Sequence, residues 1–166
     1  MTAVAINKMT DSDWHDVSRI YGLGIATGDA TFESEIPSWE NWNNSHLMKC
    51  RLIATYNDTT VGWAALSPVS SRCVYGGVAE VSVYVDTSHT GKGIGAKLLE
   101  ALIAGSEKEG LWTLQSGVFP ENIASLNIHN KLGFRTIGYK EKIGKMKGIW
   151  RDNILLERRS KIIGIN

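Results

Sequence analysis

The sequence has little of what stabilises a secreted protein or anchors one in a membrane. Cys50 and Cys73 are its only cysteines, and they lie far apart and match no metal-binding or redox spacing. We therefore expect each to be a small buried apolar residue and not half of a disulfide, and we expect no metal site. No apolar run approaches the length of a membrane span, and the N-terminus lacks the pattern of a secretion signal. These absences predict a cytoplasmic protein with no membrane partner.

The sequence also lacks an excess of positive or negative charge. The 166 residues carry a formal net charge of +1, which gives no reason to expect a nucleic acid partner. The hydrophobic fraction of 43% is typical of a globular protein with a buried core. No repeat and no linker divides the chain. We therefore predict a single domain over residues 1–166, in which residues 160–166 form a possible C-terminal tail.

Along the sequence, short runs rich in β-branched residues alternate with segments whose apolar residues recur at helical spacing. Residues 10–13 and Ser38 provide start signals for two helices, and residues 57–60 are typical of a hairpin turn between two strands. The predicted order is β-α-α-β-β-β-α-β-α-β-β, which is an α/β chain with a mixed central sheet. Three tryptophans at helical spacing are expected in the core: Trp14, Trp39 and Trp42.

A glycine cluster at residues 91–95, with the sequence GKGIG, follows a β-branched strand and opens an apolar helix predicted from about Ala96 to Glu109. Glycine lets a backbone approach a ligand closely because no Cβ stands in the way. The free N–H groups and the dipole of a helix N-terminus favour an anion. The stretch therefore predicts a phosphate or pyrophosphate site, and the alternative is a glycine-rich turn without a ligand.

Two common nucleotide motifs fit this cluster poorly. It matches the loose dinucleotide pattern G-x-G-x-x-G/A, but three predicted strands precede it, and no acidic residue stands about 20 positions later, at residues 111–114. A P-loop is also excluded, because no Ser or Thr follows a Gly-Lys pair in the required frame.

A second motif at residues 121–134 changes the interpretation. It has the form E-N-x-x-S-L-x-x-H-x-K-x-G-F, and together with the glycine cluster it resembles the GCN5-related N-acetyltransferase superfamily. The resemblance implies a three-layer α/β (α+β) acyl-CoA N-acyltransferase fold with acetyl-CoA as co-substrate and no metal. Thr90 departs from the superfamily pattern, which has Gln or Arg at this position.

Other residues resemble one branch of that superfamily, the phosphinothricin and methionine sulfone or sulfoximine acetyltransferases. These are Thr31-Phe32-Glu33, Arg72, Ala79-Glu80 and Gly148-Ile149-Trp150. The branch implies acetylation of the α-amine of a free amino acid or analogue, and a homodimer that Trp150 could face. Resistance to an antibiotic or herbicide could be a by-product of such activity.

The resemblance also implies the site residues. The backbone of residues 83–85 would pair with the pantetheine arm, backbone amides of the glycine cluster would hold the pyrophosphate, and Lys92 would either add charge or be solvated. The implied acetyl-CoA residues are Val83, Tyr84, Val85, Gly91, Lys92, Gly93, Ile94, Gly95, Ala96, Asn122 and Ser125. Asn122 could equally be a helix N-cap.

The implied chemistry is direct attack of an amine on a thioester, with Glu80 as general base, directly or through water. His129 is a candidate acid for the leaving thiolate or a packing histidine, and the acid is left open. Arg72 would bind the substrate carboxylate. The implied substrate residues are Phe32, Glu33, Arg72, Tyr75, Glu80, Val81 and Ser82.

Two alternatives to an amino-acid N-acetyltransferase stay open at this point. The same fold could acetylate another amine, such as a polyamine or a protein N-terminus. The chain could also be a non-catalytic module that binds acetyl-CoA, although the presence of Glu80 favours an enzyme.

Overall fold

A computed structural model describes residues 3–166, and its elements follow the predicted order. The strands are β1 (Ala5–Lys8), β2 (Leu52–Tyr56), β3 (Thr59–Pro68), β4 (Val78–Val85), β5 (Thr113–Val118), β6 (Arg135–Met146) and β7 (Ile149–Arg159). The helices are α1 (Trp14–Thr27), α2 (Trp39–Ser45), α3 (Ile94–Lys108) and α4 (Ile123–Lys131). No helix within residues 3–166 is long and apolar enough to cross a membrane.

The seven strands form one mixed sheet in the order β1-β2-β3-β4-β5-β7-β6. Among the strands of residues 3–166, only β4 and β5 are parallel, and they pair at three positions, ending where Glu80 lies opposite Gln115. Beyond that point the two strands separate, so residues 81–85 pair with β3 on one edge and with no described strand on the other. The middle of the sheet therefore contains a gap whose walls carry free backbone groups.

Helices cover both faces of the sheet, which confirms the three-layer arrangement. Alternation along β3 sends Ala64 and Leu66 into a core with α3, while Trp63 and Ala65 enter a second core with α1 and α2. Trp42 is fully buried in this second core. Trp14 and Trp39 pack against it in partly buried positions, as their helical spacing predicts.

Two hairpin turns are tighter than the sequence suggested. Asn57 and Asp58 have positive φ angles of 51° and 60°, so a two-residue turn is enough and Thr59 already belongs to β3. Lys147 and Gly148 likewise have φ angles of 49° and 80°. The last two strands therefore extend to this turn, since β6 ends at Met146 and β7 begins at Ile149.

The expectation of two buried cysteines was wrong. Cys73 is exposed and Cys50 is only half-buried, and both are free thiols. Cys73 begins a short 3-10 turn in the loop between β3 and β4, where nearly every residue is accessible to solvent. The polar composition of that loop outweighs the usual preference of cysteine for the interior.

A buried carboxylate ties α1 to the end of β4. Asp86 accepts hydrogen bonds from the Arg19 guanidinium at 2.7 Å and from the Ser88 amide and hydroxyl at 2.9 and 2.6 Å. Burial alone would raise the pKa of Asp86, but the hydrogen bonds from Ser88 and Arg19 outweigh it and hold the pKa well below the usual range. Because this folded-state pKa is lowered, the stabilisation is present above about pH 4 and is lost as the pH falls towards it.

Asp86→Asn is expected to lower the free energy of unfolding by about 2–4 kcal/mol at pH 7, because Arg19 would lose its buried anionic partner. Urea unfolding of both proteins at pH 7 and pH 3 measures this, and the difference should shrink at pH 3. Asp16→Asn removes the other, more exposed carboxylate near Arg19, at 3.4 Å, and should cost less than about 1 kcal/mol. Equal effects of the two substitutions would contradict the prediction.

Candidate active site

The gap between β4 and β5 opens into a cavity of about 790 Å³ on the α1–α2 side of the sheet. Its floor is formed by residues 80–84 of β4 and 115–118 of β5. Residues from the segment between α1 and α2 and from the outer strands complete its walls, among them Thr31, Phe32, Glu33, Lys140, Asn153 and Leu155. The cavity therefore lies where the sheet's only parallel pair separates.

Glu80 is the carboxylate at the point of separation. It lies on the cavity floor, and its side chain stays accessible to solvent through the open cavity. Desolvation by the surrounding protein raises the pKa of Glu80, while the positive charge of Lys140 acts in the opposite direction. A carboxylate with a raised pKa is a stronger base, so this placement suits proton abstraction from an ammonium group.

One wall of the cavity is aromatic. The Tyr84 ring stacks on buried Trp63 with centroids 4.7 Å apart, and Tyr21 lies 4.9 Å from Tyr84. Phe32 meets Phe119 edge to face at 4.7 Å. Burial raises the pKa of Tyr84 far above that of a free phenol, so its hydroxyl stays neutral. This wall can contact an apolar part of a substrate.

A second cavity of about 630 Å³ lies along the glycine cluster and the start of α4. Gly91 and Gly93 line it with φ angles of 77° and 74°, and a Cβ at either would meet no heavy atom within 4 Å. The glycines are therefore required by backbone conformation and not by crowding inside the protein. Thr90, the departure from the superfamily pattern, also lines this cavity.

The amides at the start of α3 are free. The helical hydrogen bonds begin with the Lys97 amide donating to Gly93 at 3.1 Å, and no side chain caps the helix. Within the described residues, the N–H groups of Ile94, Gly95 and Ala96 have no protein acceptor. Lys92 and Ala96 do not line the cavity, and the Lys92 ammonium lies over the Tyr56 ring, 5.3 Å from its centroid. The free amides provide an anion site without help from a side chain.

The two cavities meet along a shared wall. Six residues line both: Ala30, Val83, Tyr84, Asn122, Ser125 and His129. Asn122 caps α4, because its side-chain oxygen accepts the Ser125 amide at 3.2 Å, and its NH₂ group donates to the Asp29 carbonyl at 3.3 Å. Val85 lines the second cavity, and Val81 and Ser82 line the first. A continuous groove thus passes the unpaired edge of β4.

His129 is the histidine on the wall that the two cavities share. Its Nδ1 lies 2.7 Å from the Ser125 carbonyl, which can only accept, so Nδ1 carries the proton. The other ring nitrogen, Nε2, is buried and has no partner among the described residues. Burial lowers the pKa of the ring, which favours this neutral form. The geometry therefore argues against the predicted role of His129 as a general acid, because neutral Nε2 accepts and cannot donate.

Two predicted substrate residues lie outside both cavities. Arg72 and Tyr75 are exposed in the loop between β3 and β4, where the guanidinium lies 5.6 Å from the tyrosine ring centroid. The loop forms a short 3-10 turn that holds the two side chains against each other. The chain thus places Phe32, Glu33, Glu80, Val81 and Ser82 together, but not Arg72 or Tyr75.

Sequence reasoning missed two cations. Lys140 lines the cavity from β6. Arg151 of β7 lies 4.3 Å from the Phe119 ring centroid and donates to the Gly28 carbonyl at 2.7 Å and to Asp29 at 2.8 Å. It thereby fastens the segment after α1 beside the cavity. Neither residue lies in a motif, and only the strand register shows which face each occupies.

Comparisons with known proteins agree with this arrangement. The sequence profile of the acetyltransferase (GNAT) family matches residues 13–134. A phosphinothricin N-acetyltransferase from Alcaligenes faecalis is 29% identical over 163 residues, covering 94% of this chain and 82% of the relative. An L-methionine sulfoximine/L-methionine sulfone acetyltransferase from Salmonella typhimurium is 33% identical over 101 residues, covering 61% of this chain but only 59% of the relative.

A solved structure is also similar over nearly the whole length. A Salmonella typhimurium protein determined with its cofactor acetyl-CoA is 25% identical, with a TM-score of 0.87, covering 95% of this chain and 94% of that one. The predicted superfamily and its three-layer fold are thereby confirmed. Because the family profile spans most of the sequence and includes both motifs, this chain belongs to the acetyltransferase (GNAT) family.

Proposed function

We propose that this chain transfers the acetyl group of acetyl-CoA to the α-amine of a free amino acid or a close analogue, of the phosphinothricin, methionine sulfone or methionine sulfoximine type. The observation that carries the proposal is the position of Glu80 on the floor of the larger cavity, at the last pair of β4 and β5 and three residues before Val83, where the second cavity begins to share the wall. The named relatives from Alcaligenes and Salmonella support the substrate class.

The residues present fit acetyl-CoA. The free amides of Ile94, Gly95 and Ala96 suit its pyrophosphate, and the unpaired edge of residues 83–85 suits the amide groups of its pantetheine arm. When bound, acetyl-CoA supplies a thioester carbonyl for the amine to attack and a thiolate that leaves. Because backbone groups would make these contacts, acetyl-CoA binding does not require Gln or Arg at the position of Thr90.

The chain's own part in the reaction is proton removal and orientation. Glu80 accepts a proton from the substrate ammonium, directly or through one water, and the neutral amine then forms the C–N bond as the C–S bond breaks. The aromatic wall of Tyr21, Phe32 and Tyr84 contacts the substrate side chain. Solvent takes the second proton that the amine loses on becoming an amide and supplies the proton for the leaving thiolate, because the neutral His129 ring has its proton on Nδ1, held by the Ser125 carbonyl.

The wider predictions of a homodimer, a cytoplasmic location and a role in resistance stay predictions. A homodimer fits the outer hairpin of β6 and β7, which exposes several large apolar side chains: Ile137, Tyr139, Ile143, Ile149 and Trp150. A second copy of the chain would remove this surface from water.

Release of free thiol from acetyl-CoA, measured against a panel of amines, tests the function. We expect turnover with methionine sulfone, methionine sulfoximine and phosphinothricin, and none with spermidine. Glu33 and Glu80 on the cavity wall make spermidine the appropriate competing substrate. Turnover with spermidine alone would overturn the substrate class. Binding of acetyl-CoA without turnover of any amine would instead indicate a binding module.

A further inference from the structure

Lys140 reaches the cavity because of the register of the last three strands. Gly117 of β5 lies opposite Leu155 of β7, and Asn153 of β7 lies opposite Lys140 of β6. Side chains two residues apart on a strand share a face, so Leu155, Asn153 and Lys140 all project to the same side of the sheet. All three line the cavity whose floor carries Glu80.

Lys140 is the single lysine or arginine on that cavity wall among residues 3–166. The two histidines there add no positive charge near neutral pH. His46 donates from Nδ1 to the Trp42 carbonyl at 2.7 Å, and burial lowers its pKa, as it does for His129. The carboxylates facing the same space are those of Glu33 and Glu80.

The ammonium of Lys140 has no carboxylate partner among residues 3–166. None of the ion pairs within 4.0 Å in this part of the chain includes it. Lys49 and Lys145 differ in this respect, because one pairs with Glu109 at 3.0 Å and the other lies over the Trp150 ring. Lys140 and Glu80 line the same cavity, and the positive charge of Lys140 opposes the rise that burial causes in the pKa of Glu80.

We propose that Lys140 binds the carboxylate of the acceptor amino acid, or the equivalent anionic group of an analogue, while Glu80 faces its ammonium. The cavity would then hold a zwitterion with each charge beside its complement. This inference rests on the proposed function and assigns substrate selection to Lys140 and not to the exposed Arg72. Lys140 acts in binding and orientation, and proton transfer remains with Glu80.

Methionine sulfone and its carboxamide form the test pair, since the carboxamide has nearly the same size and shape but carries no negative charge. In Lys140→Met, we expect the KM for methionine sulfone to rise about 10- to 100-fold, the range for losing one hydrogen bond to a charged group. The KM for the carboxamide should change less than about threefold, as should kcat at saturation. Lys140→Arg, which keeps the charge, should restore most of the preference for the acid.

Two further variants control the result. Lys145→Met removes a lysine from the same strand that does not line the cavity, and it should leave the ratio of the two KM values unchanged. Arg72→Ala should also leave that ratio unchanged. A ratio unaffected by Lys140→Met, or one abolished by Arg72→Ala, would overturn the proposal.

Direct binding separates this inference from the proposed function. If neither test compound is acetylated by the unmodified protein, the proposed function fails, and calorimetric titration of methionine sulfone still tests Lys140. Tighter binding of the acid than of the carboxamide, lost in Lys140→Met, would uphold the assignment. No binding of the acid, or equal binding by the variant, would overturn it.

Discussion

Glu80→Gln is expected to lower kcat by about 10²- to 10⁴-fold while the affinity for acetyl-CoA changes less than threefold. Glutamine keeps the size of the side chain but cannot accept a proton near neutral pH. Glu80 lines only the larger cavity and not the one along the glycine cluster, so acetyl-CoA binding should be unaffected. Steady-state thiol release gives kcat, and titration with CoA gives the affinity.

The pH profile identifies the base. Desolvation raises the pKa of Glu80 above its ordinary value, with Lys140 opposing the change. Activity of the unmodified enzyme should therefore fall as the pH decreases through this raised pKa, because the protonated acid cannot accept a proton. In Glu80→Gln this limb should be absent, and the residual rate should simply rise with pH as more free amine forms.

Glu33→Gln is the matched control, since Glu33 is a second carboxylate on the wall of the same cavity. It should reduce kcat far less than Glu80→Gln, and it should keep the acidic limb of the profile. Full turnover of Glu80→Gln across the pH range would remove Glu80 as the general base.

Local patterns predicted most of the fold. Ser38 accepts the Asn41 amide and begins α2 as its residue type suggests, and Asn122 does the same for α4. The glycine cluster at residues 91–95 could be predicted as a candidate site because it is a short motif, and Glu80 because its segment resembles one branch of the family; residues of both line a cavity. The length of the cofactor groove, by contrast, depends on β4 and β5 separating after Glu80.

Which side chains reach the cavity depends on strand pairing and loop conformation, and these could not be predicted from the sequence. Arg72 has the better chemistry for a carboxylate, but its loop directs it to solvent, whereas Lys140 reaches the cavity through two strand pairings. The proton position on His129 was equally hidden, because it depends on a carbonyl four residues earlier in α4. The exposure of Cys73 could not be predicted for a similar reason, because it depends on the conformation of the whole loop that contains it.

Gly93→Val is expected to weaken acetyl-CoA binding about 100-fold, the effect of losing one or two charge-assisted hydrogen bonds. Gly93 precedes the free amides of α3 with a φ of 74°, a conformation that costs a residue with a Cβ about 1–2 kcal/mol. Valine would therefore either strain the turn or move it, and its side chain would project into the groove. Calorimetric titration with CoA measures the loss.

Gly110→Val is the control that distinguishes a loss of ligand contacts from the backbone strain of valine at a positive φ. Gly110 lies just beyond the other end of α3, its φ is 81°, and a Cβ there would also meet nothing within 4 Å. Both substitutions should therefore lower the free energy of unfolding by a similar amount, about 1–2 kcal/mol in urea. Only Gly93→Val should weaken CoA binding, because Gly110 lines neither cavity. Equal losses of affinity in the two variants would mean that the glycine cluster stabilises the helix without holding a phosphate.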